Sequence, residues 1–254
     1  MTFTADTTTI TSTVNAARWL TADATMSANH NFWGLTGLRN RDTFAPDYTK
    51  SMQIRKTDIS SRILAASRRL FLNKGYRGTT MREIAAVSGT SLANLYNYYD
   101  SKDSIFSEVT APAVEHLMRM LTEHHGIKGT DVMDFRSEAY YRGTLDEYVS
   151  LVDRYGDEFR ILLHGAEGSA REGFKEEYIS ISTAQVRRWF NAMKERYPDI
   201  NISVSDEFVR LNTVWMLSLM DELLRKDLVP ERREVLMNDY VRFQILGWRA
   251  MLHV

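Results

Sequence analysis

From residue 59 onward the apolar positions recur with helical spacing, and almost nowhere with the alternation of a strand. Ile59, Ile63, Ala66 and Leu70 fall at i, i+4, i+7 and i+11, and Leu64 and Phe71 widen the stripe. Thr57 or Asp58 is a candidate cap for this first helix and Gly75 its stop. Thr80 stands three residues before Glu83, the spacing of a capping box, and opens the short stretch MREIAAVS that Gly89 ends. Ser91 caps a third predicted helix, LANLYNYY, and Ser101 a fourth that begins KDSIFSEV. Long amphipathic helices are then predicted over 102–124, 136–153, 155–165, 171–196, 204–227 and 231–252. The breaks are GIKGT at 126–130, Gly165 with Gly168, and Pro198, while Pro230 suits a helix start. The expected fold class is all-α.

The first part of the chain lacks such a pattern. Residues 1–51 hold TFTADTTTITSTV and no periodic apolar face, so they are expected to be poorly ordered, with Met52 close to the natural beginning. A short anchoring helix around 14–20 is the alternative. The stretch is not a secretory signal, because no basic start precedes an apolar block, and Asp6 and Asp23 argue against a transit peptide. No run approaches the roughly 18 apolar residues of a membrane span. The chain has 254 residues and no cysteine, which excludes disulfides and thiolate chemistry and fits a cytoplasmic location.

Charge changes the picture more than composition does. The net charge is only −1, yet residues 52–106 carry 9 Lys/Arg against 4 Asp/Glu, a net of +5, and residues 107–254 carry 19 against 25, a net of −6. A compact basic segment joined to a larger acidic one suggests a polyanion-binding module attached to something else. Inside the basic segment, two short helices flank the turn Ser88-Gly89-Thr90, a helix-turn-helix pattern. Gly89 sits where the chain reverses, Ala85 is small where the helices approach, and Ile84 and Leu95 are placed to pack inward. In this motif the second helix enters the major groove with its N-terminal end toward the base edges. Asparagine amides then face adenine edges, and tyrosine hydroxyls reach phosphates.

The stretch ILAASRRLFLNKGYRGTTMREIAAVSGTSLANLYNYYDSKDSIF resembles the DNA-binding domain of the TetR (tetracycline repressor-like) transcriptional regulators. The likeness lies in LF…G…TT-x-R-x-IA, the turn glycine, the LY of the second helix and the following S-K-D, and it covers about residues 57–117. Thr90 departs from the usual valine and Ala93 from the usual glycine. The resemblance implies a three-helix DNA-binding domain over 57–117, with its helix-turn-helix at 80–99, and a helical ligand-binding and dimerisation domain over 118–254. It implies phosphate contacts for Thr80 and Lys102, and a base or phosphate contact for Arg82. Ser91 caps the reading helix, Leu92, Ala93 and Asn94 face base edges, and Tyr96 and Tyr98 contact the backbone. Asn97 lies between base and backbone.

It further implies a homodimer paired through the last two helices, an operator DNA, and a small-molecule effector that releases it, as in a repressor. Phe208, Leu211, Trp215, Leu219 and Leu223 are the candidate pairing face on one helix, and Val241, Ile245, Trp248 and Leu252 on the other. Candidate pocket residues are Tyr140, Tyr141, Tyr148, His164, Glu167, Trp189 and Phe190. The glycines of HGAEGSAREGF, 164–174, mark either a helix break beside the pocket or a surface turn. A metal-dependent or other helical enzyme is the competing class, and a ligand-independent DNA-binding protein is the second. His116, His124 and His125 cluster, but adjacent residues cannot both face inward on one helix, and no HExxH, cysteine pair, G-x-S-x-G, P-loop or G-x-G-x-x-G occurs. No catalytic residue, metal ligand or cofactor is therefore assigned.

Overall fold

A computed structural model describes the backbone of residues 48–126, 129–225 and 228–254, and side chains from Thr57 onward. The expectation for residues 1–51 lies outside these residues as far as 47, and so does the anchoring helix at 14–20. Among the described residues there are eight α-helices and no strand. They are α1 (Tyr48–Lys74), α2 (Met81–Ser88), α3 (Leu92–Tyr96), α4 (Lys102–His125), α5 (Glu138–His164), α6 (Phe174–Arg196), α7 (Asp206–Leu223) and α8 (Pro230–Leu252), with a 3₁₀ turn at Val132–Arg136. No described helix is long and apolar enough to cross a membrane.

Two boundaries differ from the sequence reading. Helix α1 is already formed at Tyr48, so neither Thr57 nor Asp58 caps it. No proline or glycine lies between 48 and 74, so nothing in that stretch interrupts the helix. Helix α5 runs unbroken from Glu138 to His164, where the sequence pattern predicts two helices. Its Gly156 is not a break but a contact: a Cβ added there would lie 2.9 Å from Leu224 Cδ2, so the missing side chain lets the segment after α7 approach.

The residues 53–254 form one compact unit. Within it the apolar stripes build a small core beside α1–α3, a larger second core, and a third of similar size to the first. The small core gathers Ile63, Phe71, Tyr76, Ile84, Leu95, Tyr99, Ile105 and Phe106. Phe106 meets Phe71 and Tyr76 edge to face, at 5.0 and 5.3 Å between ring centres. A second core joins Leu117, Leu121, Leu151, Phe159, Tyr178, Leu217 and Tyr240, and a third surrounds Trp189 and Phe190. Helix α4 threads the first two. Its Ile105, Phe106 and Val109 belong to the small core, and its Ala113, Leu117 and Met120 to the second. Pro112, which has no N–H to give the helix, sits between the two sets.

Candidate nucleic-acid interface and ligand cavity

Helix α2 is held at both ends by its own sequence. The Thr80 hydroxyl accepts the Glu83 N–H at 3.2 Å, and the Glu83 carboxylate accepts the Thr80 N–H at 2.9 Å, a complete capping box. Lys74 closes on the same carboxylate at 2.5 Å. These bonds, Lys74 first, hold the Glu83 carboxyl down at about 2, well below its ordinary range. At the other end Gly89 takes φ 69°, ψ 30°, and the Thr90 N–H returns to the Ala85 carbonyl at 3.0 Å. Ser91 then caps α3 by accepting the Asn94 N–H at 3.1 Å. Leu95 and Tyr99 are buried in the small core, and the Tyr99 hydroxyl pairs with Ser60 Oγ at 3.0 Å.

What is left over forms an outward surface. Thr80, Arg82, Ser91, Ala93, Tyr96 and Asn97 are exposed; Tyr96 keeps 48% of its surface although it is aromatic. Leu92 and Tyr98 are half-buried against the small core. Helix α3 is shorter than the sequence pattern suggests. It ends at Tyr96, and the Tyr98 and Tyr99 N–H groups both close on the Leu95 carbonyl in a tightened turn. Asn94 is less free than expected, because its Nδ2 donates to Thr90 Oγ1 at 2.8 Å and leaves its carbonyl oxygen to face outward chemistry. Val87, 40% exposed beside this surface, escaped the sequence reading because a single valine in MREIAAVS looks like core.

Lys102 has a partner the sequence did not reveal. Its ammonium donates to the Tyr76 and Thr79 carbonyls, each at 2.7 Å, and lies 3.9 Å from the centre of the Tyr76 ring. Burial lowers its pKa, and Asp103 and Glu83 oppose the shift. The side chain therefore clasps the loop that presents Thr80, with one N–H remaining. Next to it, Asp103 accepts the Tyr76 hydroxyl at 2.8 Å and the Ala170 N–H at 2.8 Å. Burial, with this carboxylate beside it, pushes the Tyr76 phenol up to about 12.

The HGAEGSAREGF stretch belongs to the same joint. The Gly165 carbonyl accepts the Tyr76 N–H at 2.7 Å, and Gly75 is so close that an added Cβ would stand 3.4 Å from Gly165 O. Glu167 pairs with Arg77 at 2.6 Å, and Glu158 with Arg68 at 2.6 Å. The segment is thus a turn docked on the small core, not a wall of the pocket. His164 faces Asp221 at 2.5 Å, and the Tyr141 hydroxyl bonds Asn238. His164, Glu167 and Tyr141 lie outside the cavity, because each is held by a partner on the surface or on a neighbouring helix.

Tyr140, Tyr148, Trp189 and Phe190 do meet around a cavity of about 140 Å³ between α4, α5, α6, α7 and α8. The sequence reading missed His125, Tyr178, Asn212 and Gln244 on its wall. Gln244 carried a signal, since it is a polar residue inside the apolar stripe of Val241, Ile245 and Trp248. Burial pushes the Tyr140, Tyr178 and Tyr240 phenols up, and Tyr148 to about 12. Burial also drives His125 down to about 3, so its imidazole is neutral. His124 contacts the Tyr140 hydroxyl at 3.3 Å and Glu147 at 2.5 Å, while His116 packs on Tyr155. Among the described residues no group of three or more His, Cys, Asp or Glu is arranged to hold a metal.

The candidate pairing face divides. Phe208, Leu211 and Trp215 on α7 are exposed, Leu211 by 60%. Leu219, Leu223, Val241 and Leu252 are buried, and Ile245 and Trp248 line the cavity. The end of α7 is covered by α5, and on α8 two apolar stripes interleave. The stripe at 241, 245 and 248 faces inward, while Val235, Phe243 and Leu246 stay exposed. Periodicity alone cannot say which of two interleaved stripes is inside.

An exposed, doubly capped helix-turn-helix set on an all-helical body defines a DNA-binding regulator of the helix-turn-helix class. Residues 63–109 match the family described as bacterial regulatory proteins, tetR family. The matched segment carries the helix-turn-helix, and it is over this segment that the chain is similar to that family. It is 26% identical over 179 residues to the HTH-type transcriptional repressor KstR2 of Rhodococcus jostii, covering 67% of this chain and 81% of that protein. It is 35% identical over 52 residues to the HTH-type transcriptional regulator QacR of Staphylococcus aureus, covering 20% of this chain and 28% of that one. The fold resembles the TetR family transcriptional regulator PfmR of Thermus thermophilus, with a TM-score of 0.52 at 22% identity, over 73% of this chain and 97% of that one. It also resembles a tetR-family regulatory protein from Rhodococcus, with a TM-score of 0.51 at 21% identity, over 76% and 96%.

Proposed function

We propose that the chain is a homodimeric repressor, released from operator DNA by a small molecule that enters the α4–α8 cavity. The observation that carries this reading is the division within residues 91–99: Leu95 and Tyr99 hold the core, while Ser91, Ala93, Tyr96 and Asn97 remain outside, exposed among the described residues. In this reading the segment through Val109 is the DNA-binding head, and the segment from Ala113 is the ligand-binding and dimerisation body. Arg82 and the third N–H of Lys102 reach phosphates. Ala93 and the Asn94 carbonyl oxygen face base edges, and Tyr96, Asn97 and Tyr98 border the backbone. The similarity to KstR2, described as a repressor, supports the sign of regulation.

A ligand releases DNA only to the extent that it binds the released state more tightly. The route for that difference is α4, which lines the cavity at Leu117, Leu121 and His125 and begins at Lys102 and Asp103 against the loop of the head. The test is fluorescence anisotropy of the purified chain on DNA from upstream of its own gene, titrated with salt. Saturable, sequence-selective binding with a steep salt dependence is expected. A folded protein that binds unrelated DNA equally well, or none at all, sinks the reading.

A further inference from the structure

Taking the cavity as the effector site, as proposed above, its wall restricts the effector further. Among the described residues that line it there is no Lys, Arg, Asp or Glu. Of its two histidines, His125 is held neutral by burial, and His124 is already engaged by Glu147 at 2.5 Å. An ion placed inside would lose its hydration with no opposite charge on the wall to replace it. The volume of about 140 Å³ is close to that of an engineered apolar cavity of about 150 Å³ that accepts benzene.

Three buried side-chain atoms on this wall have no hydrogen-bond partner, His125 Nδ1, Thr144 Oγ1 and Gln244 Nε2, and Gln244 is the one whose donor end is fixed by its neighbours. The Gln244 amide oxygen accepts Asn212 Nδ2 at 2.8 Å and Trp248 Nε1 at 3.1 Å. Two donors converging on that atom fix the amide orientation, so the other end must be the NH₂. That Nε2 is buried and has no hydrogen-bond partner. Such an orphan donor is costly to leave unmet, and it becomes a specific contact once an acceptor arrives. The Trp189 indole N–H does not compete, since it is spent on the Thr130 carbonyl at 2.9 Å.

We propose that the effector is an uncharged, mainly apolar molecule of about single-ring size whose hydrogen-bond acceptor takes the Gln244 Nε2–H. Titration of the full chain with matched probes tests this, with intrinsic tryptophan fluorescence and calorimetry as readouts. Acetophenone carries the acceptor, cumene replaces it by a methyl group, and benzoate and benzamidinium place a charge on the same frame. Acetophenone and cumene are expected to bind, and each charged probe to bind about tenfold or more weakly than acetophenone. In Gln244→Met, acetophenone should weaken about fivefold or more relative to cumene, because its carbonyl loses its donor. On the native chain, the Gln244 side-chain amide resonances should shift with acetophenone and stay in place with cumene, a readout independent of the variant's folding.

An unchanged acetophenone-to-cumene ratio in Gln244→Met overturns the proposal, and so does an amide that ignores acetophenone, benzoate or benzamidinium binding as well as acetophenone, or the absence of binding by any probe. Release of operator DNA by a charged or long-chain compound also overturns it, while leaving the ligand-responsive repressor intact. Failure to bind operator at all strikes that broader reading instead.

Discussion

Gly89 carries the turn by its backbone alone. An added Cβ would meet nothing closer than the Arg62 guanidinium at 3.5 Å, so the cost of Gly89→Ala is the left-handed conformation and not a clash. A loss of about 1 kcal/mol in urea unfolding is expected, with Gly89→Asn costing less. Lys102 is a different case, because the structure gives it a structural task the sequence did not suggest. Lys102→Ala should weaken binding to every DNA sequence and lower the salt slope by about one unit, as for a phosphate contact. It should also destabilise the head, because two loop carbonyls lose a charged donor worth about 1.5–3 kcal/mol each before solvent replaces it. Weaker DNA binding with unchanged unfolding would separate the two roles and refute the clasp. Glu83 adds a pH signature. Its folded pKa of about 2 lies below the ordinary 4.5, so its contribution is complete above 4.5 and is lost as the pH falls through about 2. Replacing it with Gln should remove that acid-dependent part of head stability, read by circular dichroism during acid titration.

At the scale of elements, the helices were legible wherever capping residues and one-sided stripes coincided. Thr80 with Glu83, Ser91, Ser101 and Pro230 each open a helix where the pattern placed one. Where the pattern was read as two helices, 136–153 and 155–165, the reading failed: α5 runs through, and its Gly156 packs closely on Leu224. Gly143 shows the converse. It sits inside the same helix with nothing within 4 Å of an added Cβ. Neither a turn nor a contact there requires glycine, so Gly143→Ala should stabilise the chain by about 0.5–1 kcal/mol in thermal or urea unfolding. Four of the seven candidate pocket residues, the aromatics Tyr140, Tyr148, Trp189 and Phe190, were readable from their helical spacing and do line the cavity. The rest of the wall was not, since Gln244 and His125 become neighbours only when α8 and the end of α4 converge, and no local pattern encodes that meeting. The docking of 165–173 on the head was hidden for the same reason: its bonds run from backbone groups to residues tens of positions away.

For the whole molecule, the open question is what covers the outer face of α7 and α8. Leu211, Phe243 and Leu246 are each at least half exposed, and Trp215 packs edge to face on Phe243 at 5.3 Å, so these side chains form one apolar patch and not scattered residues. A single helix-turn-helix reads one half-site, and two heads must stand about 34 Å apart to read successive major grooves. A second copy pairing along this face would supply that second head. Leu211→Glu combined with Leu246→Glu isolates the question, because both positions are solvent-facing in the single chain and glutamate is a good helix former. Such surface changes should move the unfolding free energy of the chain itself by no more than about 0.5 kcal/mol per site. A carboxylate at the centre of an apolar interface, in contrast, would be desolvated without a partner. The variant should therefore run as a monomer in light scattering and keep its helical circular dichroism. Its affinity for a two-half-site operator should fall about a hundredfold or more, while its affinity for an isolated half-site is unchanged, since only the linkage between heads has been removed. A double variant that remains dimeric would place the pairing surface elsewhere. One that becomes monomeric yet binds the full operator as before would mean that each head acts alone.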